Sequence, residues 1–255
     1  MAFGDVRGSQ VSSSTASVTS AGLNVTVSPS IAVAEADLIY VVLAQIAALS
    51  FTGVTDTYGN TYAAAAAARD AGNLAAGAFY AIAVANATMT TIHFNSTASG
   101  NDWACVVGVI EGPFSAIDAN PVNAINDVAT PYLCPASAAL AQLDEVVMSW
   151  MASDLALTTL VPASPSVVVD GTLSTMPAAI LASRVVASQS SITPSFTTTS
   201  GTPGFSVLGT TSFMKDPRQP YVKRTGGIRH AQRIRRGGGV TMWREDSGLL
   251  VPRWV

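Results

Sequence analysis

Four arginines, Arg229, Arg233, Arg235 and Arg236, fall within eight residues, with His230 among them. A guanidinium presents planar paired donors that fit phosphate and carboxylate alike, so this cluster is suited to clamping an acidic partner. Ten of the thirteen Lys and Arg residues lie between Lys215 and Val255, giving residues 215–255 a formal +7 and residues 1–214 a formal −10. An acidic body repels DNA, and the basic stretch leads into Trp243, Leu249, Leu250 and Trp254, a poor surface to leave in water. The expectation is therefore docking on protein, including another copy of the acidic body, with nucleic acid the weaker choice. Arg229, Arg233, Arg235 and Arg236 would supply the charge, and Trp243, Leu249, Leu250 and Trp254 the apolar anchors.

Other residues capable of chemistry are sparse. His93 and His230 are the only histidines, and no Gly-x-Ser-x-Gly turn accompanies them. His93 reads as a strand-face residue rather than a catalytic base. Asp56, Asp102, Glu111, Asp118 and Asp154 are scattered at strand ends and loops, where carboxylates usually accept turn amides; a glycosidase would need two of them facing each other. Cys105 lies in an apolar run and Cys134 in a Pro-rich one, each without a neighbouring cation to activate it. No Cys/His spacing suggests zinc, and no Asp-rich loop has the calcium pattern. The chain is expected to carry no catalytic residue, cofactor or metal. Tyr58, Tyr62 and Trp103 would suit a host glycan if they clustered at one loop end.

The elements that would position these residues read as strands. Charged residues make up 11% of the chain, against about 25% in ordinary globular domains, so much of the surface is expected to be covered by neighbours. The longest apolar run, Leu38 to Leu49, is interrupted by Gln45 and too short to span a bilayer. Asp37 to Ala48 reads as a buried sandwich strand, and the N-terminus lacks the basic and apolar regions of a signal peptide. Ser/Thr alternation marks Val11–Ser20, and alternation recurs at Leu23–Val27 and Met89–Asn95. Gly59-Asn60 supplies the positive φ of a tight hairpin. Alanine-rich Tyr62–Ala68 reads as extended from its neighbours, and Ala75–Ala85 as a central strand closely approached by another sheet. Phe114–Leu143 reads as a long low-order connection, with one helical turn within Ala136–Leu143. Strands resume from Glu145 to Phe213. Ten or eleven short strands with turns between them predict an all-β, antiparallel, jelly-roll-like β-sandwich body over residues 1–214. Residues 215–255 are expected to form an extended basic C-terminal arm with an apolar end and no apolar face of its own.

Between Asp37 and Phe213 the pattern resembles a β-sandwich domain of bacteriophage virion accessory proteins. The features are Asp37-Leu38-Ile39-Tyr40-Val41-Val42, the turn Val54-Thr55-Asp56-Thr57-Tyr58-Gly59-Asn60-Thr61-Tyr62, Phe79-Tyr80-Ala81 and Val109-Ile110-Glu111-Gly112. Asp144-Glu145-Val146-Val147 and Ser206–Phe213 complete it. The resemblance implies a decoration, cement or fibre-type structural role in a tailed-phage virion. Partners would be other copies in a trimer or ring and another virion protein, with no membrane. A glycan-binding fibre tip is the alternative. The basic arm lies outside the resemblance.

Overall fold

A computed structural model describes residues 2–14, 23–46, 51–71, 74–96, 101–125, 130–157, 159–198, 205–217, 232–235, 240–244 and 250–254. The chain separates into two compact units, Met1–Tyr221 and Val222–Val255. All regular structure among the described residues is β.

The first eight strands are β1 (Val6–Ser14), β2 (Leu23–Val33), β3 (Leu38–Ile46), β4 (Phe51–Asp56), β5 (Ala63–Ala71), β6 (Leu74–Ile82), β7 (Ala87–Ser96) and β8 (Asn101–Ile110). They form a large sheet, β1-β8-β3-β6-β5, and a small one, β2-β7-β4, with antiparallel pairing throughout. This is jelly-roll order, with the fifth strand carried on the large sheet.

The next eight are β9 (Phe114–Ile125), β10 (Tyr132–Leu133), β11 (Glu145–Ser153), β12 (Val161–Pro162), β13 (Val167–Thr172), β14 (Ala178–Val186), β15 (Ser195–Thr197) and β16 (Ser206–Lys215). Their sheets are β9-β16-β11-β14-β13 and β10-β15-β12. Each strand order is that of the first half with eight added to every number. The body is two jelly rolls of one topology.

The correspondence extends to single residues. Leu38 pairs with Ile110 and Ile82 in the first roll, and Val146 pairs with Phe213 and Val185 in the second. Aligned on these rows, the fifth-strand bulge that skips Ala65 falls on the bulge that skips Val169. The first-strand bulge at Arg7 falls on the one at Asp118.

The two large sheets pack against each other. Their shared core includes Tyr40, Val42, Ala65, Ala76, Ala78, Val106, Met148, Trp150, Leu181 and Phe213. A second core, with Ile39, Val41, Val107, Ile92 and Phe94, fills the first roll. A third, with Tyr132, Met151, Ile180, Phe196 and Leu208, fills the second. Four layers result, and each large sheet is covered on both faces. That is why β3 and β11 are apolar and buried almost without alternation: odd and even residues both face a core. The alanines of β5 and β6 are extended, as expected, because small side chains admit the facing sheet. Gly108 of β8 shows how close the approach is: a Cβ there would overlap Val169 and crowd Leu181 of the facing sheet.

Several expectations are corrected. Phe114–Ile125, read as low-order connection, is a twelve-residue strand. Its Pro121 is tolerated because β9 is an edge strand. Ala136–Leu143 contains no helical turn. Gly59 has positive φ (77°), yet the turn is not a hairpin, since β4 and β5 belong to different sheets. Residues 15–20 of the expected first strand lie outside the described residues.

The C-terminal unit contains β17 (Gln232–Arg235), β18 (Val240–Arg244) and β19 (Leu250–Trp254), an antiparallel meander. The expected extended arm is thus three strands that pair with one another. In that register Ile234 is opposite Met242 and Met242 opposite Pro252, while Gln232 is opposite Arg244 and Arg244 opposite Leu250.

Candidate functional site

Of the eight residues expected to bind a partner, Arg229, Arg236 and Leu249 lie outside the described residues. The meander carries the remaining five. Arg233 is the register partner of Trp243, Arg235 of Thr241, Leu250 of Arg244, and Trp254 of Val240. A three-stranded ribbon that carries both arginines and large apolar residues suits a surface that is apolar at its centre and acidic at its rim.

The aromatic trio considered for a glycan is not assembled. Tyr58 is 38% exposed, but Trp103 is only 7% exposed and packs in the first roll's core beside Phe94, 6.2 Å between ring centroids. Trp103 also pairs with Ser14 and Gln45 at the opposite end of the strands from the Asp56 turn. Tyr62 is partly buried, and its hydroxyl donates to Asp56 Oδ2 at 3.0 Å. Burial, reinforced by the Asp56 carboxylate, raises the Tyr62 hydroxyl above its ordinary value. Asp56 also accepts the Tyr58 backbone N–H (2.8 Å) and the Asn60 side-chain amide (2.7 Å). It is a turn organiser.

The other carboxylates have similar work. Asp154 Oδ1 accepts the Phe205 backbone N–H at 3.0 Å. Glu111 pairs with Arg7 at 3.2 Å. His93 Nε2 lies 3.0 Å from Asn95 Oδ1 on a partly exposed strand face. Cys105 and Cys134 are buried free thiols, each pushed up to about 12 by burial, so neither is a nucleophile at neutral pH. Among the described residues no group of three or more His, Cys, Asp or Glu is placed to hold a metal.

Two carboxylates not singled out from the sequence as a pair come together at one end of the second roll. Just before β3, Ala36 has φ 63° and the buried Asp37 accepts the Ala34 N–H at 2.7 Å. Just before Val146 of β11, Asp144 has φ 61° and the buried Glu145 accepts the Gln142 N–H at 2.8 Å. The motif is the same: a left-handed residue, then a carboxylate bonding back three residues as the chain enters the central strand. Its partner comes from the first-strand bulge. In the first roll this is Arg7, with Nε 2.6 Å from Asp37 Oδ2 and Nη2 3.3 Å from Oδ1. In the second it is Asp118, a second acid. Burial pushes the Glu145 carboxyl up to about 7; the Gln142 N–H opposes this, and Asp118 adds to it by charge and hydrogen bonding. The sequence signal was the recurrence of an acid at the start of each central strand, Asp37 and Glu145.

Comparison with protein-family models, with curated proteins and with solved structures finds no match. The likeness to phage accessory domains rests on the sequence pattern alone.

Proposed function

We propose that this chain is a non-enzymatic structural protein of a tailed-phage virion, of the decoration, cement or fibre type. It assembles through its C-terminal segment on other copies of itself or on another virion protein. The observation that carries the reading is the tandem pair of jelly rolls packed through their large sheets, an architecture class used repeatedly in viral coats. This is an argument from fold analogy. It is joined by the charge asymmetry of the sequence and by the three-stranded ribbon at residues 232–254. Jelly rolls also serve as lectins, but the separation of Tyr58 from Trp103 removes the aromatic platform that reading required.

In this role the acidic body receives the basic ribbon of a neighbour. Arg233, Arg235 and Arg253 pair with carboxylates at the rim, and Leu250 and Trp254 are covered by apolar surface. Reciprocal exchange of this kind closes into a ring or trimer. The test is the mass of the full chain in solution by light scattering, compared with the Trp243→Ala/Trp254→Ala double variant. A closed oligomer whose association weakens at least tenfold in the variant is expected. A full chain that stays monomeric at tens of micromolar, or an oligomer unaffected by the double substitution, rejects anchoring through this segment.

A further inference from the structure

We propose that Asp118 and Glu145 form a proton-operated latch where the chain leaves the second jelly roll, closed while the two acids share a proton and loosened when it is lost. The comparison built into the molecule carries the argument. At the equivalent corner of the first roll, the bulge residue is Arg7, and the carboxylate it meets is charge-matched. At this corner the bulge residue is an acid, so the same geometry closes only when one carboxyl is neutral.

The details fit that role. Glu145 is fully buried; Oε1 accepts the Gln142 N–H, and Oε2 has no partner that an ionised carboxylate could use. Asp118 Oδ2 accepts the N–H of Ala141 at 3.0 Å. The two acids thus grip neighbouring amides of one loop. That loop is tied in turn to the end of β16, because Gln142 Nε2 donates to the Lys215 carbonyl at 2.9 Å.

The charged groups around Glu145 are Asp118 on β9, Asp144 beside it, Lys215 on β16 and Arg184 on β14. Lys215 Nζ is 3.9 Å from Asp144 and lies over the Phe3 ring. Arg184 is the register partner of Val147, two residues along β11 on the same face. Among the described residues neither cation forms an ion pair with Glu145.

Burial of Glu145, opposed by the Gln142 N–H and reinforced by Asp118, places its titration at about 7, above the ordinary 4.5. A raised folded-state value means the stabilisation is complete below pH 4.5 and is lost as pH rises through 7. Between 4.5 and 7 the closed-to-open ratio falls by at most about tenfold per pH unit, and above 7 it levels off.

Native-state hydrogen exchange of the full chain, read on peptides covering residues 138–146 and corrected for intrinsic rates, tests this. Protection in the wild type should fall several-fold between pH 6 and pH 8. Glu145→Gln should hold its protection constant, and so should Asp118→Arg, which copies the first roll. Wild-type protection that does not change over this range overturns the latch, as does an unchanged fall in Asp118→Arg. The Asp118→Arg comparison suffices if Glu145→Gln does not fold.

Discussion

The bulge residue sets the charge of each corner, Arg7 in the first roll and Asp118 in the second. Arg7 holds Asp37, which is 2% exposed, and Glu111 together. Arg7→Met removes the cation and leaves a buried carboxylate uncompensated, a loss of about 3–5 kcal/mol. Urea denaturation should show a lower midpoint with an unchanged slope, and Arg7→Lys should recover only part of it, since an ammonium cannot reproduce the two-nitrogen grip. Gly209 faces Trp150 across the β11–β16 pair. Gly209→Ala forces the indole or the sheet to shift, and a loss of about 1–3 kcal/mol is expected in the same measurement. The role of these residues was not legible from sequence. Asp37 and Glu145 stand at the starts of apolar runs, but which residue reaches each of them depends on a bulge more than twenty positions away.

At the scale of elements, the all-β, antiparallel, jelly-roll-like reading stands, and the strands with clear apolar runs or alternation fall where the pattern put them. Element boundaries failed where the sequence signal was opposed by context. β9 contains Pro121 and three irregularities of register, features of a loop in isolation but acceptable at a sheet edge. The repeat of the fold was hidden because equivalent buried positions differ in polarity. Val41, Val107 and Val109 of the first roll correspond to Ser149, Thr210 and Ser212 of the second. A core of valines and a core dotted with hydroxyls give no matching sequence pattern, although the backbone register is shared. The first roll should resist the second roll's chemistry: Val107→Thr buries a hydroxyl among Ile39, Val41 and Phe94 and should cost about 1–3 kcal/mol by denaturant titration.

For the whole molecule, the decisive feature is that the largest core belongs to both rolls at once. Tyr40 and Tyr80 from the first meet Phe213 from the second, at 5.9 and 4.9 Å between ring centroids. Tyr40 hydrogen-bonds Thr211 at 3.1 Å. Neither roll can unfold without exposing the other's large sheet, so calorimetry should show one transition for the two jelly rolls, with calorimetric and van't Hoff enthalpies in agreement. The C-terminal segment carries the opposite sign of charge from this body, and the proposed role turns on what it touches. Zero-length carbodiimide cross-linking of the native assembly, with isotopically labelled and unlabelled copies mixed, tests that contact most directly. The account predicts bonds from Lys223 to Asp or Glu side chains of a different copy or of another virion protein. Bonds confined to one chain, or ultraviolet cross-links from residues 224–255 to nucleic acid in their place, would contradict it.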